Sequence, residues 1–290
     1  MAKEFENLQD KFNNADFIRK NNSPDKITLY SDFDELKMYF GHDYWVTDKI
    51  CVHNPTIGDI LEFGDNQFYA MAMALCGDAT FHRLALWKAG IDWNKTADFD
   101  VFGYVIHGMK PEHTKLLFGD LNLSWFEKFH NNIKDCDEYI YIPRDEDGNL
   151  IQVDYEKTIV IDWYVYHKLI TYLRTLLDIH PKAEFARNKA TKESMIWEDE
   201  EKEKARAIQK KKHPYEKSYL LPLVSALVNH PGFKYKTNEL KQLNIYQFMD
   251  SVRRLQVYEN TTALLKGMYS GFVDGSQIHE RDVNWLRDLS

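Results

Sequence analysis

Two histidines of this chain have a spacing that only loosely resembles a metal-binding motif. His107 and His113 stand six positions apart with Gly108 and Pro111 between them, and the chain has no HExxH or HxH spacing. Zinc sites usually draw their histidines from short, fixed spacings that bring two rings to one ion. The pattern is more typical of a loop with two surface histidines, and we expect no metal site.

The acidic run from Asp145 to Gly148 is similar to part of a calcium-binding loop. Aligning Gly148 with the glycine that such loops require puts Asp145 and Asp147 at ligand positions. The first ligand position then falls on Pro143, whose side chain carries no oxygen. The run is therefore predicted to be a polar turn.

A nucleophile and a base could be supplied by Cys76 and His82, which are close in sequence. However, Cys76 follows an apolar helical stripe, which favours a buried structural thiol. No GxSxG, GxxxxGK[ST] or GxGxxG motif is present. We expect a protein without catalytic residues or a cofactor. A hydrolytic enzyme with a dispersed site is an alternative, which a deep pocket holding His82 or His107 beside carboxylates would support.

The formal net charge of −8 argues against broad binding to nucleic acid or to an anionic membrane. The basic clusters at 210–213 and at Arg253–Arg254 each have acidic residues nearby. The first residues lack the apolar segment of a signal peptide, and the apolar runs are too short to cross a bilayer. Three widely spaced cysteines without a CxxC pair predict reduced thiols. We expect neither a membrane nor a nucleic-acid partner.

The elements that would position these residues predict an α+β protein that is mainly α-helical. Residues 1–55 are predicted to form an N-terminal arm and a short mixed segment, with an extended run at Tyr44–Val52. Residues 56–120 are predicted to form a helical subdomain. Its first helix begins with the capping-box spacing of Thr56 and Asp59, and Asp65, Thr80 and Asp98 are expected to begin the next helices.

Residues 121–158 are predicted to form a small antiparallel β-hairpin or meander. Trp125–Phe129, Glu138–Ile142 and Leu150–Asp154 are short runs rich in residues that favour strands. Because the polar turn at 145–149 separates the last two runs, we expect those two to pair as a hairpin.

Residues 159–290 are predicted to form a helical C-terminal region. It contains an apolar stripe from Tyr164 to Leu177 and a charged helix at 191–212 that is acidic at its start and basic at its end. Further helices are expected at Ser218–Val228, from the Asn244 cap, and from an Asn260 cap.

The density of aromatic residues points to either a large core or an interface. The chain has seven Trp, seventeen Tyr and seventeen Phe. Tyr and Trp commonly anchor protein interfaces, but they also fill cores, and the sequence does not separate these two roles. One of Arg253 and Arg254 is expected to form a buried or interfacial ion pair with Asp250 or another acid.

Several segments together resemble a protein encoded in the structural or tail-module regions of phages infecting Gram-positive bacteria. The segments are Gly58–Gly64, Leu86–Asp92, Leu220–Asn229, Gly232–Tyr235, Ile245–Gln256, Gly267–Gly271 and Asn284–Leu289. The resemblance implies a non-enzymatic virion or tail-assembly protein of the host cytoplasm or the virion. Its implied partners are other phage structural or assembly proteins, with a homo-oligomer also possible.

The residues that we expect to contact a partner come from these C-terminal segments. They are Tyr246, Phe248, Arg253, Arg254, Tyr269 and Trp285. An alternative function is that of a phage-encoded regulator or inhibitor that binds a host protein, for example a defence component.

Overall fold

The computed structural model describes residues 32–145, 148–151, 158–212 and 217–289. It confirms an α+β architecture that is mainly helical, with eleven α-helices and two small antiparallel sheets in the described residues. One large apolar core runs through most of these elements, and a second, smaller core lies beside the helices Arg83–Lys88 and Lys189–Lys212. No described helix is both long and apolar enough to cross a bilayer.

The chain enters the described region through a short helix and a two-stranded sheet. Helix α1 spans Glu35–Tyr39, and the Asp34 side chain caps it by accepting from two backbone N–H groups. The predicted extended run proves to be a hairpin, in which β1 (Tyr44–Trp45) pairs with β2 (Cys51–Val52). Tyr44 stacks on the Tyr172 ring at 4.4 Å, so one face of this hairpin is fixed to the main core.

Five helices follow in residues 56–120, one more than the four expected, and the helix expected from Thr80 begins at Arg83. They are α2 (Ile57–Phe63), α3 (Asp65–Cys76), α4 (Arg83–Lys88), α5 (Asp98–His107) and α6 (Pro111–Phe118). The capping box predicted at Thr56 and Asp59 is confirmed, with both of its hydrogen bonds present.

Asp65 and Asp98 each begin a helix as expected, but their carboxylates bind tertiary partners and do not cap the helix ends. Asp65 is the first residue of α3 and makes no cap there; its carboxylate accepts from the Ser218 hydroxyl at 2.6 Å and from the Leu220 N–H at 3.1 Å. Asp98 is the first residue of α5, and its buried carboxylate accepts from the Ala79 N–H at 2.9 Å. Both carboxylates therefore join segments that are distant in sequence.

The three-stranded sheet lies in the predicted region but pairs differently. Strand β3 (Phe126–Asn131) pairs with β4 (Cys136–Tyr141), and β4 pairs with β5 (Val160–Ile161). The sequence predicted Leu150–Asp154 as the strand that pairs with Glu138–Ile142. This prediction was wrong, because β4 pairs with β3 and β5. Only an isolated bridge joins Arg144 to Leu150, and part of the second run lies outside the described residues. Strand β4 instead forms six register pairs with the preceding strand.

Helix α7 (Trp163–Leu177) forms the centre of the main core. Ten of its fifteen residues are buried, which confirms the apolar stripe, although Tyr164 lies on the exposed side. Helix α8 (Lys189–Lys212) is the predicted charged helix, and of its twenty-four residues, all of them described, only Ile196 is buried.

The C-terminal helices are α9 (Leu220–Asn229), α10 (Thr237–Leu240) and α11 (Ile245–Tyr269). The Asn244 cap is confirmed, since its side chain accepts from the Gln247 N–H. The second cap expected at Asn260 was wrong, because α11 continues through it as one helix of 25 residues. Two 3-10 helices, Gly275–Gln277 and Glu280–Val283, follow.

Candidate partner-binding surface

Backbone hydrogen bonds fix the start of α11 to the N-terminal part of the chain. The Ile57 N–H donates to the Leu243 carbonyl, and the Ile245 N–H donates to the Pro55 carbonyl, each at 2.9 Å. The Asn244 side chain also donates to the Tyr39 carbonyl at 2.9 Å. These bonds anchor the first residues of the helix to the segments around Tyr39 and Ile57.

Two of the expected contact residues belong to this fixed end. Phe248 is fully buried in the main core, so the prediction that it contacts a partner was wrong for the folded protein. Phe248 follows the apolar spacing of α11, and this spacing predicts a position in the core as well as it predicts a contact with a partner. Tyr246 is half-buried, and its hydroxyl donates to Glu35 at 3.3 Å. Burial, followed by the nearby Glu35 charge, raises the pKa of Tyr246 to about 12.

Each of the two arginines of α11 forms a partly exposed ion pair, whereas one such pair was expected. The Arg253 guanidinium lies 3.1 Å from the Asp178 carboxylate, and the Arg254 guanidinium lies 3.8 Å from that of Asp250. Burial would raise the pKa of Asp178, but the His180 and Arg253 contacts outweigh it and hold that pKa below its usual range. The Arg253–Asp178 pair joins α11 to the end of α7, whereas the Arg254–Asp250 pair lies within α11.

Arg254 has a second set of partners in the C-terminal tail. Its guanidinium donates to the carbonyls of Trp285 at 3.2 Å and Arg287 at 2.8 Å. The Thr261 hydroxyl, which is buried, donates to the Asp282 carbonyl at 3.1 Å. The tail therefore folds back along α11, and both arginines have structural partners within the chain.

The distal half of α11 and the tail expose a set of large apolar side chains, which we call the arm surface. Its members are Tyr258, Tyr269, Phe272, Trp285 and Leu286, with exposed fractions of 44%, 87%, 91%, 43% and 69%. Sequence reasoning found Tyr269 and Trp285, but missed the other three because exposure is not visible in residue type alone.

Helical geometry aligns this surface along one side of α11. Tyr258 and Tyr269 are eleven positions apart, which corresponds to about 16 Å along the axis and a rotation of only about 20°. The Trp285 ring packs edge-on against Tyr258, with ring centroids 5.8 Å apart. The tail thus widens the aromatic stripe, and aromatic residues of this kind anchor many protein interfaces.

A groove between α9 and α11 lies on the same C-terminal part. Its volume is about 490 Å³, and Leu223, Leu227, Val252 and Leu255 supply apolar walls. At its rim, a His230 nitrogen lies 3.0 Å from a Glu259 carboxylate oxygen. The groove adds apolar area beside helix α11.

The cysteine and histidine considered for catalysis are not arranged as a nucleophile and base. Cys76 is fully buried, and burial raises the pKa of its thiol to about 12, so it stays protonated near neutral pH. A ring nitrogen of His82 lies 2.9 Å from the Ala74 carbonyl. The structure therefore supports the interpretation of Cys76 as a structural thiol.

A group of potential metal ligands that the sequence analysis did not single out occurs at the β1–β2 hairpin. One ligand atom from each of Asp43, Cys51 and His53 lies within 4.8 Å of the other two. The signal that could have found it is the Cys-x-His spacing in a predicted strand, because alternate strand residues share a face. His107 and His113 belong to no such group among the described residues.

Comparison with known proteins gives a family match to the C-terminal part. Residues 209–290 match the family model of the YomV second domain, and YomV is a Bacillus phage-encoded protein. No curated protein and no solved structure matches the chain. The matched residues include α9, α10, α11 and the whole arm surface. The C-terminal part of this chain is therefore similar to a phage-associated domain.

Proposed function

We propose that this chain is a non-enzymatic phage virion or tail-assembly protein that binds another phage structural or assembly protein. The observation that carries the proposal is the match of residues 209–290 to the YomV second domain. The arm surface lies wholly within the matched residues and supplies the kind of aromatic area from which protein interfaces are built.

The packing of α11 supports a binding role for its distal half. The first part of the helix buries Ile245, Phe248 and Met249, whereas the stretch from Tyr258 to Tyr269 has one buried residue, Thr261. Large exposed apolar patches on soluble proteins commonly mark interaction sites. We therefore assign the arm surface, rather than the buried start of the helix, as the contact with the partner.

Mass spectrometry of purified particles of the phage that encodes the chain, together with co-purification of tail components, tests this function. We expect the chain in particles, or bound to a tail component during assembly. Its absence from particles combined with failure of co-purification would overturn the proposal. Toxicity or immune evasion on expression without other phage genes would favour a regulator that binds a host protein.

A double variant tests the surface itself. Tyr269→Ala with Phe272→Ala removes two highly exposed side chains, so the fold should be unaffected while co-purification falls by roughly tenfold or more, as for interface anchor residues. Ile133→Ala is the matched control, because Ile133 is 97% exposed but lies in the β3–β4 turn. Equal co-purification of the double variant and the control would show that the arm surface is not the contact with the partner.

A further inference from the structure

The β1–β2 hairpin brings three different metal-binding side chains to one face. Tyr44 is paired with Val52 and Trp45 with Cys51, so continuing the antiparallel register by one step puts Asp43 opposite His53. Val52 is fully buried, so its neighbours Cys51 and His53 share the opposite face of the strand. Strand geometry alone thus gathers a carboxylate, a thiol and an imidazole.

The distances are compatible with one small metal ion. The three ligand atoms lie within 4.8 Å of one another, and a His53 Nδ1 to Asp43 Oδ2 contact is 2.8 Å. In a tetrahedral zinc site, ligand atoms are separated by about 3.3–3.6 Å, given metal–ligand bonds of roughly 2.0–2.3 Å. Asp43 is exposed and Cys51 and His53 are partly exposed, so none of the three side chains is enclosed in the core.

Hydrogen bonds with the surrounding backbone fix the Asp43 carboxylate and the main chain at His53. The Asn54 N–H donates to Asp43 Oδ1 at 3.0 Å, which leaves Oδ2 directed at His53. The His53 N–H donates to the Leu117 carbonyl at 2.8 Å. A Cβ at Gly119 would lie 3.1 Å from His53 Nε2, so the glycine leaves room beside the ring. Such outer contacts orient ligands in known metal sites.

We propose that Asp43, Cys51 and His53 form a binding site for a divalent transition-metal ion, with zinc as the best match. Thiolate, imidazole and carboxylate are the three ligand types that zinc takes in proteins. The carboxylate and the thiolate together neutralise a divalent charge, and the Cys51 proton is released to solvent as the thiolate binds. Among the described residues these three form the whole group, so a fourth position is open to water or to an outside ligand.

This assignment departs from the sequence-based expectation of no metal site, which rested on histidine spacings. It is independent of the proposed partner-binding role, because none of the three residues belongs to the arm surface. A hydrogen-bonded Asp43–His53 pair beside an uninvolved thiol is the competing structural interpretation, and it predicts no metal binding.

Equilibrium dialysis of the full chain, stripped with a chelator and then exposed to zinc, tests the proposal. We expect one zinc ion per chain, with affinity reduced roughly tenfold or more by Cys51→Ser and by His53→Gln, because each substitution removes a side chain that binds the metal. Cys136→Ser is the matched control, because Cys136 is also a partly buried cysteine on a strand but belongs to no ligand group among the described residues.

Cobalt provides a second measurement that identifies the ligand. Cobalt bound through Cys51 gives a thiolate-to-cobalt charge-transfer band, which Cys51→Ser abolishes and Cys136→Ser retains. Circular dichroism of the metal-free variants establishes whether they fold. If Cys51→Ser does not fold, the zinc affinity of His53→Gln tests the proposal. Absence of stoichiometric zinc binding, or zinc affinity unchanged in a folded Cys51→Ser or His53→Gln variant, overturns the proposal.

Discussion

Helix α7 buries ten of its fifteen residues, whereas α8 buries Ile196 alone among twenty-four. Helix α7 is surrounded by the main core, and its leucines pack at full burial. Helix α8 touches the small core that contains Trp93 and Leu86, and its other attachments are charged. Burial of apolar side chains therefore holds α7 in place, whereas ion pairs are the main attachment of α8.

The charged attachments of α8 are specific. Arg83, itself buried, donates to Asp199 through Nε at 2.5 Å and through Nη2 at 2.9 Å, and also pairs with Glu184. Lys192 lies 2.6 Å from the Asp92 carboxylate and 5.8 Å from the centroid of the Trp93 ring. Bidentate arginine pairs fix orientation as well as energy. Helix α8 is therefore positioned by directional ion pairs, whereas α7 is stabilised chiefly by removal of apolar surface from water.

The largest expected effect comes from truncating a core side chain of α7. Leu173→Ala removes buried methyl groups from a fully buried position and should lower the free energy of unfolding by about 2–5 kcal/mol. Chemical denaturation followed by circular dichroism measures this. Leu221→Ala, at a leucine that is 63% exposed, is the control, and a similar loss in both variants would contradict the importance of burial in α7.

The next effect is a pH dependence that comes from α7. Burial lowers the pKa of His167 to about 3, and the Arg174 charge adds to this shift. Below about pH 6.5 the unfolded chain binds a proton at this histidine that the folded chain does not, so stability falls with acidification by about 1.4 kcal/mol per pH unit. Denaturation between pH 7 and pH 5 measures the slope.

Substitution of His167 tests whether this residue causes the pH dependence of stability. His167→Gln should flatten the decline between pH 6.5 and 5, whereas His107→Gln, at an exposed histidine, should retain it. An unchanged slope in folded His167→Gln protein would refute the assignment.

The pKa of Asp199 lies below its usual range, chiefly because of the Arg83 hydrogen bond. A carboxylate with a lowered pKa stabilises the folded state at pH values above its unfolded pKa of about 3.9. The ion pair that attaches α8 should therefore persist between pH 7 and pH 5.

The smallest expected effect is local and concerns α8. Arg83→Met should lower the free energy for opening α8 by roughly 1–2 kcal/mol, the range for charge-assisted hydrogen bonds discounted for solvent screening. Hydrogen exchange along 189–212 measures this, and α7 should exchange as before. Lys204→Ala is the control, because its pair with Glu201 is on the surface, and it should leave exchange unchanged. Faster exchange in α7 as well would mean that the helices open together.

Much of the helical architecture could be predicted from local patterns. The Thr56 capping box, the Asn244 cap and the apolar stripe of α7 involve residues within a few positions of each other. Hydrogen bonds and apolar faces on that scale follow from helix geometry, which sequence spacing encodes directly. The expected ion pairing of Arg253 or Arg254 was also confirmed.

The errors share a long-range cause. Asp65 has the residue type of a helix cap, yet it binds Ser218 and Leu220, more than 150 positions away. Strand β4 was predicted to pair forwards and pairs chiefly backwards, because a turn signal does not rank competing partners. Phe248 and Tyr269 are both aromatic residues of α11, but one is buried and the other is 87% exposed.

The sequence by itself determined the α+β, mainly helical class, several helix starts, and the charge pattern of α8. Tertiary structure decided which aromatics of α11 face solvent, and it brought Asp43 beside Cys51 and His53. The physical reason is that periodicity defines the faces of an element, whereas the packing of its neighbours determines which face is covered and which side chains meet.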